Sequence, residues 1–382
     1  MAGKTGLTPG MNSDSNDDIE LSEEAQIFIE DLIQKIQSAK SEIGRAVLGQ
    51  DELIENVLIS LLSAGHILLE GVPGTAKTVL AESVATVLGL SENRVQGTPD
   101  LMPSDIIGTE LLEENKQTGE RSFRFEPGPI FSNVFLFDEG NRASPRTQAG
   151  ALQAMQEKKV TVAGENHFLP RVFFMIMTQN PIEQEGTNPL PEAQMDRFVL
   201  IHVLDYPDRD AEREVGLKTT TSQYSIDDIA DLNKELDPPA NMIVKPKDLN
   251  PQLNEEEIIR AQHLVRALPL GDEVMDKILD VVRSARPNCP DIESSSLTNV
   301  FNFVNENVSF GPGTRAIQAL SLAVRARALI NGRVRANLDD VVAMADPVLR
   351  HRLGMNIAAR AEGHDEVTVI DQLVSPLKLE AA

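Results

Sequence analysis

A chain of 382 residues exceeds what one ordinary hydrophobic core fills, and suits a large domain followed by a smaller one. Its apolar fraction of 41% and charged fraction of 25% are those of a folded globular protein. The formal net charge of −24 argues against nucleic acid, whose binders need basic surface to displace counterions from phosphate; the surplus acid reads as a solvated surface. Apolar runs such as Ile67 to Leu69, Val134 to Phe137 and Val172 to Met177 are too short to cross a bilayer, and the first twenty residues lack the apolar stretch of a secretory signal. The one cysteine, Cys289, has no partner for a disulfide or a metal site and reads as structural. A cytoplasmic chain with no membrane span is expected.

Residues 1–20 combine Gly, Pro, Ser, Asn and Asp with little apolar content and read as a disordered tail. From Leu21 to Leu48, Ile29, Leu32, Ile36, Ala39 and Ile43 recur at helical steps, and a second helix is expected from Asp51. Five short apolar segments then alternate with amphipathic helices: Ile67 to Leu69, Asn93 to Gln96, Asn133 to Phe137, Arg171 to Met177 and Arg197 to Val203. Continuous apolar strands separated by helices imply parallel pairing and a three-layer α/β domain. Two interruptions, Gly108 to Phe125 and Lys159 to Leu169, alternate as hairpins do. Periodicity fades between Leu217 and Leu253, where Pro238, Pro239, Pro246 and Pro251 gather, and helical signals return with Asn254 and Glu257 as a capping box, Gly271, Thr314 to Ile330 and Asn337.

The strongest chemical signal is the run from Gly71 through Val72, Pro73, Gly74, Thr75, Ala76, Lys77, Thr78 and Val79, set between a buried strand and a helix. Backbone N–H groups and the helix N-terminus converge there on anionic phosphate, Lys77 reaches the β- and γ-phosphates, and the Thr78 hydroxyl is a Mg²⁺ ligand. A second apolar strand ends in Asp138 and Glu139, one acid to hold Mg²⁺ and one to activate water. A third ends in Thr178-Gln179-Asn180-Pro181, where Asn180 is placed to hydrogen-bond the γ-phosphate or the water. Arg197 precedes the last strand and is either a cation offered to a neighbouring subunit or half of an ion pair with Asp196 or Glu192. Arg315 opens a helix, against the helix dipole, and is either a cation set beside an anion such as an ATP phosphate or an exposed arginine that tolerates the small dipole cost. Arg325, Arg327, Arg333 and Arg335 read as a solvated face.

Together with Gly97-Thr98-Pro99-Asp100-Leu101-Met102-Pro103-Ser104-Asp105, Phe125-Glu126-Pro127-Gly128-Pro129-Ile130-Phe131 and Asp138-Glu139-Gly140-Asn141-Arg142-Ala143, these motifs resemble the MoxR branch of AAA+ ATPases from about Val47 to Arg209 and from about Glu255 to Gly354. The resemblance implies a P-loop NTPase sandwich with a five-stranded parallel sheet, two inserted hairpins and a small all-α lid. It assigns Lys77 and Thr78 to Walker A, Asp138 and Glu139 to Walker B, Asn180 to sensor 1, Arg197 to the arginine finger and Arg315 to sensor 2, with Gly49 and Gln50 beside the adenine. It further implies ATP and Mg²⁺ as cofactors, hexameric rings, and client proteins carrying von Willebrand factor A domains. The expected organisation is a tail at 1–20, an α/β core at 21–209, a connection at 210–253, a lid at 254–365 and a C-terminal tail at 366–382. Lys77, Thr78, Asp138, Glu139, Asn180 and Arg315 are expected to serve one ATP, with Arg197 completing the neighbour's site.

Ala76 departs from the general phosphate-loop pattern, although alanine there is familiar among MoxR-like relatives and activity is expected, and Gly140 stands where relatives usually carry a bulky apolar residue, so a glycine is expected to loosen the turn. They motivate an alternative, a nucleotide-dependent scaffold with little turnover. A motor like the magnesium-chelatase or Rubisco-activase relatives shares the same motifs, and a helicase is opposed by the acid excess.

Overall fold

The computed structural model describes residues 22–71, 77–114, 121–180, 186–222, 224–225, 228–229, 242–289 and 298–381. The expected tail at 1–20 and the loop residues Val72 to Ala76 lie outside the described residues.

The chain opens with α1 (Glu23–Gly44), capped by the Ser22 side chain, and α2 (Asp51–Leu62). The α/β core follows as β1 (Ile67–Gly71), α3 (Lys77–Val87), β2 (Glu92–Gln96), α4 (Pro103–Ile107), β3 (Gly108–Glu114), β4 (Arg121–Pro127), β5 (Val134–Asp138), α5 (Pro145–Glu157), β6 (Lys159–Val162), β7 (Glu165–Phe168), β8 (Phe174–Gln179), α6 (Glu192–Met195) and β9 (Leu200–Leu204). Five strands form one parallel sheet in the order β2-β5-β8-β1-β9, while β3-β4 and β6-β7 are separate antiparallel hairpins at the two expected insertions.

Successive residues of each strand enter opposite faces, which is why the strands are apolar throughout. Ile67, Leu69, Val134, Leu136, Phe174, Ile176 and Leu200 join one buried cluster with α1, α2, α3 and the C-terminal helices. Leu68, Phe135, Phe137, Met175, Met177 and Ile201 join the other with Ile106, Leu152 and Met155 of α4 and α5. Each fully buried side chain of this size contributes about 1.5–3 kcal/mol, so both faces are strongly committed.

Beyond the core, α7 (Arg209–Thr220) leads into the connection, and the second unit contains α8 (Glu255–Ala267), α9 (Asp272–Ser284), α10 (Thr298–Asn307), β10 (Val308–Phe310), α11 (Thr314–Ile330), α12 (Leu338–Leu349), β11 (Gly354–Met355), α13 (Ile357–Ala361) and α14 (Glu366–Ala381). The C-terminus departs from the expected tail at 366–382. Val369, Ile370, Leu373, Val374 and Leu377 form a buried stripe that packs α14 into the core cluster.

The arginine group also departs from a solvated face. Asp340 of α12, whose side chain is 0% exposed, accepts from Arg327 at 2.6 Å and from Arg333 at 2.7 Å. It also accepts from the Asn337 N–H and so closes the capping box of α12. Asp340→Ala leaves Arg333 without its carboxylate and Arg327 with Glu55 alone, and is expected to lower unfolding free energy by about 3 kcal/mol, the low end for breaking a buried pair. Urea denaturation measures this, and a loss under about 1 kcal/mol would contradict the role given to the cluster.

Candidate nucleotide site

The carboxyl ends of β1, β5 and β8 bring the expected acids and lysine to one edge of the sheet. Lys77 is the first residue of α3, and its ammonium donates back to the Gly71 carbonyl at 2.8 Å. Burial pushes its pKa down, while Asp138 and Glu139, at the carboxyl end of β5, act on it electrostatically in the opposite direction. Thr78 and Val79 follow in the first turn of α3. The five preceding loop residues of the motif, including Ala76, are outside the described residues.

β8 lies between β1 and β5, and its Thr178 organises the acidic corner. The Thr178 hydroxyl donates to Asp138 Oδ1 at 2.7 Å and accepts the Glu139 N–H at 2.8 Å. Arg94 of β2 pairs with the other Asp138 oxygen at 2.6 Å. Neither Thr178 nor Arg94 was assigned a role from the motifs. Glu139 itself has φ 49°, a left-handed conformation that costs a non-glycine residue roughly 1–2 kcal/mol, and its carboxylate pairs with Arg142 at 3.1 Å. Asn180 follows β8 directly and is buried.

Two glycines differ sharply in what surrounds them. A Cβ on Gly97 would stand 2.2 Å from the Glu139 carbonyl oxygen and 3.2 Å from that of Asp138, and the Gly97 N–H donates to the latter at 2.7 Å. A Cβ on Gly140 would stand 2.4 Å from the terminal methyl of Met177. The turn after Glu139 is therefore not left loose by glycine, because Met177 fills the space an apolar side chain would take. Gly97→Ala forces backbone apart under both acids and is expected to lower ATPase turnover roughly 100-fold, the scale of a 1 Å misplacement. Gly140→Ala meets side chains rather than backbone, chiefly the flexible Met177 methyl, with Met177 Cγ and the Phe137 ring each 3.2 Å away, and should cost turnover well under tenfold. Steady-state phosphate release from the two purified variants checks the ranking, and the reverse order would refute it.

Gly49 and Gln50 border a cavity of about 440 Å³ shared with Ile201 to Val203 of β9, Tyr206 and Arg350. Because Leu204 at the end of β9 lies opposite Gly71, this cavity adjoins the phosphate-loop corner. It offers room for a nucleotide base beside the strand ends. The donor set also suits Mg²⁺, a hard cation that takes oxygen and keeps much of its shell from phosphate and water. The Thr78 hydroxyl and the Asp138 carboxylate are oxygen donors of that kind, and among the described residues no cluster of three or more His, Cys, Asp or Glu marks an all-protein metal cage.

Arg315 does not join this corner. Its Nη1 donates to Asp196 at 3.2 Å, and it lines a cleft of about 290 Å³ with Gly65, His66, Lys158 and Arg197. The Val199 N–H donates to the His66 carbonyl, so this cleft sits at the amino ends of β1 and β9. Four steps of about 3.3 Å put roughly 13 Å of strand between it and Gly71. The expectation that Arg315 serves the same ATP as Lys77 is corrected by the docking of α11 against α2, the helix that enters β1 at its amino end. Arg197 pairs with neither Asp196 nor Glu192 among the described residues, since Asp196 is taken by Arg315 and Arg352. The buried Nε of Arg197 has no hydrogen-bond partner there.

Comparison with known proteins agrees with this architecture. A model of the ATPase family associated with various cellular activities (AAA) matches residues 66–200, and one of the AAA lid domain matches residues 302–373. Chaperone MoxR1 of Mycobacterium tuberculosis is 34% identical over 347 residues, covering 91% of this chain and 83% of that protein. Protein MoxR of Methylorubrum extorquens is 29% identical over 317 residues, covering 82% and 85%. A crystal structure of a candidate ATPase from Cytophaga hutchinsonii superposes with a TM-score of 0.76 at 31% identity, covering 92% of this chain and 97% of that one. A parallel core with a helical lid, matched over most of its length by these relatives, places the chain in the MoxR branch of the AAA+ ATPases.

Proposed function

We propose that the chain is a Mg²⁺-dependent ATPase that assembles into a ring, hydrolyses ATP between adjacent subunits and uses the cycle to remodel partner proteins. The observation that carries this reading is the division of charge between the two ends of the sheet. Lys77, Asp138 and Glu139 share the carboxyl ends, while Arg197 and Arg315 stand together at the amino ends. One copy cannot bring both groups onto one triphosphate, whereas a second copy set edge to edge can.

In this reading Lys77 leaves the Gly71 carbonyl for the phosphate oxygens, and Thr178 and Arg94 keep Asp138 aimed at the same point. Thr78 and Asp138 would hold Mg²⁺, which would neutralise phosphate charge. Glu139 takes a proton from the attacking water, Asn180 orients that water or the γ-phosphate, and Arg197 and Arg315 of the neighbour meet the charge that develops as the bond breaks. Gly49 and Gln50 border the base. The family resemblance supports six subunits and client proteins with von Willebrand factor A domains, and the need for ATP supports work in the cytoplasm.

Phosphate release per subunit is expected to rise with protein concentration as rings form, and to vanish in Lys77→Ala. Full specific activity in a preparation that light scattering shows to be monomeric would overturn the interface reading.

A further inference from the structure

The corner that carries Arg197 is built around a second arginine that no motif assigns. Arg352 ends the short turn Arg350–Arg352 after α12, and its side chain is 3% exposed. Its Nε donates to Asp196 Oδ1 at 2.8 Å, and Nη2 donates to the backbone carbonyls of Phe198 at 2.7 Å and Asp196 at 3.3 Å. Nη1 donates to the Val199 carbonyl at 3.2 Å and to that of Val348. All five N–H groups of the fork are thereby used, and the acceptors at residues 196, 198 and 199 straddle Arg197. The free oxygen of Asp196 receives Arg315 from α11.

We propose that Arg352 is a positioning residue for the interface cations: it holds the 196–199 turn so that Arg197 faces the adjoining subunit, and through Asp196 it sets Arg315 on the same side. A guanidinium buried at this site for packing alone has no need to collect the carbonyls on either side of Arg197. Because those contacts come from the second unit, a shift of α12 relative to the sheet moves the cations offered to the neighbour. The proposal rests on hydrolysis between subunits, and it predicts an asymmetry. Loss of Arg352 damages the neighbour's site and spares its own, which lies at the other end of β1.

The test is a mixing experiment with the full chain. Arg352→Gln alone is expected to lose roughly 10- to 100-fold in turnover, the cost of a misplaced catalytic group, while binding a non-hydrolysable ATP analogue within about twofold of the parent. Arg352→Lys, which keeps charge on Asp196 but loses the fork, should fall between them. Mixed with Lys77→Ala subunits, whose own site is dead but whose Arg197 face is intact, Arg352→Gln should regain activity. Arg197→Ala mixed with Lys77→Ala is the reference. If the reference recovers and the Arg352→Gln mixture does not, the positioning role is overturned and the interface reading stands. If the reference also stays inactive, hydrolysis between subunits fails and the proposal falls with it. Should Arg352→Gln not fold, Asp196→Asn removes the shared negative charge and one of the two acceptor oxygens from a more exposed side chain, and must show the same asymmetry or refute the role.

Discussion

Glu139→Gln is expected to bind ATP with little change and to release phosphate at least about 1,000-fold more slowly, within the range general-base catalysis supplies. The substitution is nearly isosteric. The backbone contact from the Glu139 N–H to Thr178 remains, and an amide oxygen can still accept from Arg142, so the left-handed turn has no reason to collapse. What disappears is the basic oxygen that takes a proton from water. Lys77 also loses one of the two carboxylates that oppose its desolvation, so its pKa moves further down without losing its other partner, Asp138. Nucleotide binding by a fluorescent analogue and phosphate release measured on the same preparation separate the two effects. Abolished binding would mean that Glu139 has a structural task at this corner, and turnover within tenfold of the parent would assign the proton to another group.

Much of this corner could be read before the fold was known, because each half is local. The run from Gly71 to Thr78 carries its own strand and helix context, and Asp138-Glu139 follows an apolar segment whose length already fits a buried strand. The hairpins at Gly108 and Lys159 were legible for the same reason, as short alternations around polar turns. Contacts that depend on neighbouring strands were not. Arg94 reaches Asp138 only because β2 and β5 pair with Gln96 opposite Asp138, and no pattern within β2 states that register. Thr178 stood in a recognised motif, yet its position between the two working strands belongs to the sheet order.

Arg315 shows the limit most clearly. A first-turn arginine after Gly311-Pro312-Gly313 signals a cation near an anion, and that inference is independent of location. Which end of the sheet receives the helix depends on how α11 packs against α2, a long-range choice invisible in a local window. The buried Asp340 is similar, since its partners Arg327 and Arg333 belong to the preceding helix and the loop after it. The stripe Val369, Ile370, Leu373, Val374 and Leu377 has helical spacing, but the core cluster that buries it is built from distant elements, so its burial is not stated in the local sequence.

Arg197→Ala is expected to bind nucleotide normally and to lose turnover by about 10³- to 10⁵-fold, the range of a cation supplied across an interface in phosphoryl transfer. Its side chain makes no ion pair within its own chain among the described residues, so truncation strands no carboxylate and should leave folding nearly unchanged. Asp196 keeps Arg315 and Arg352, and the turn keeps its carbonyl contacts to Arg352. The loss therefore falls on charge stabilisation at the adjoining subunit's phosphate. Equal mixtures with Lys77→Ala contain interfaces where an intact Lys77 meets an intact Arg197, and random assembly makes about a quarter of interfaces of that kind if neighbours are placed independently. Phosphate release near a quarter of the parental rate is then the expected ceiling, because neighbouring sites in a ring need not act independently. A mixture as inactive as either variant, with ring assembly verified by light scattering, would place the catalytic cation elsewhere and return Arg197 to a structural part of its own subunit.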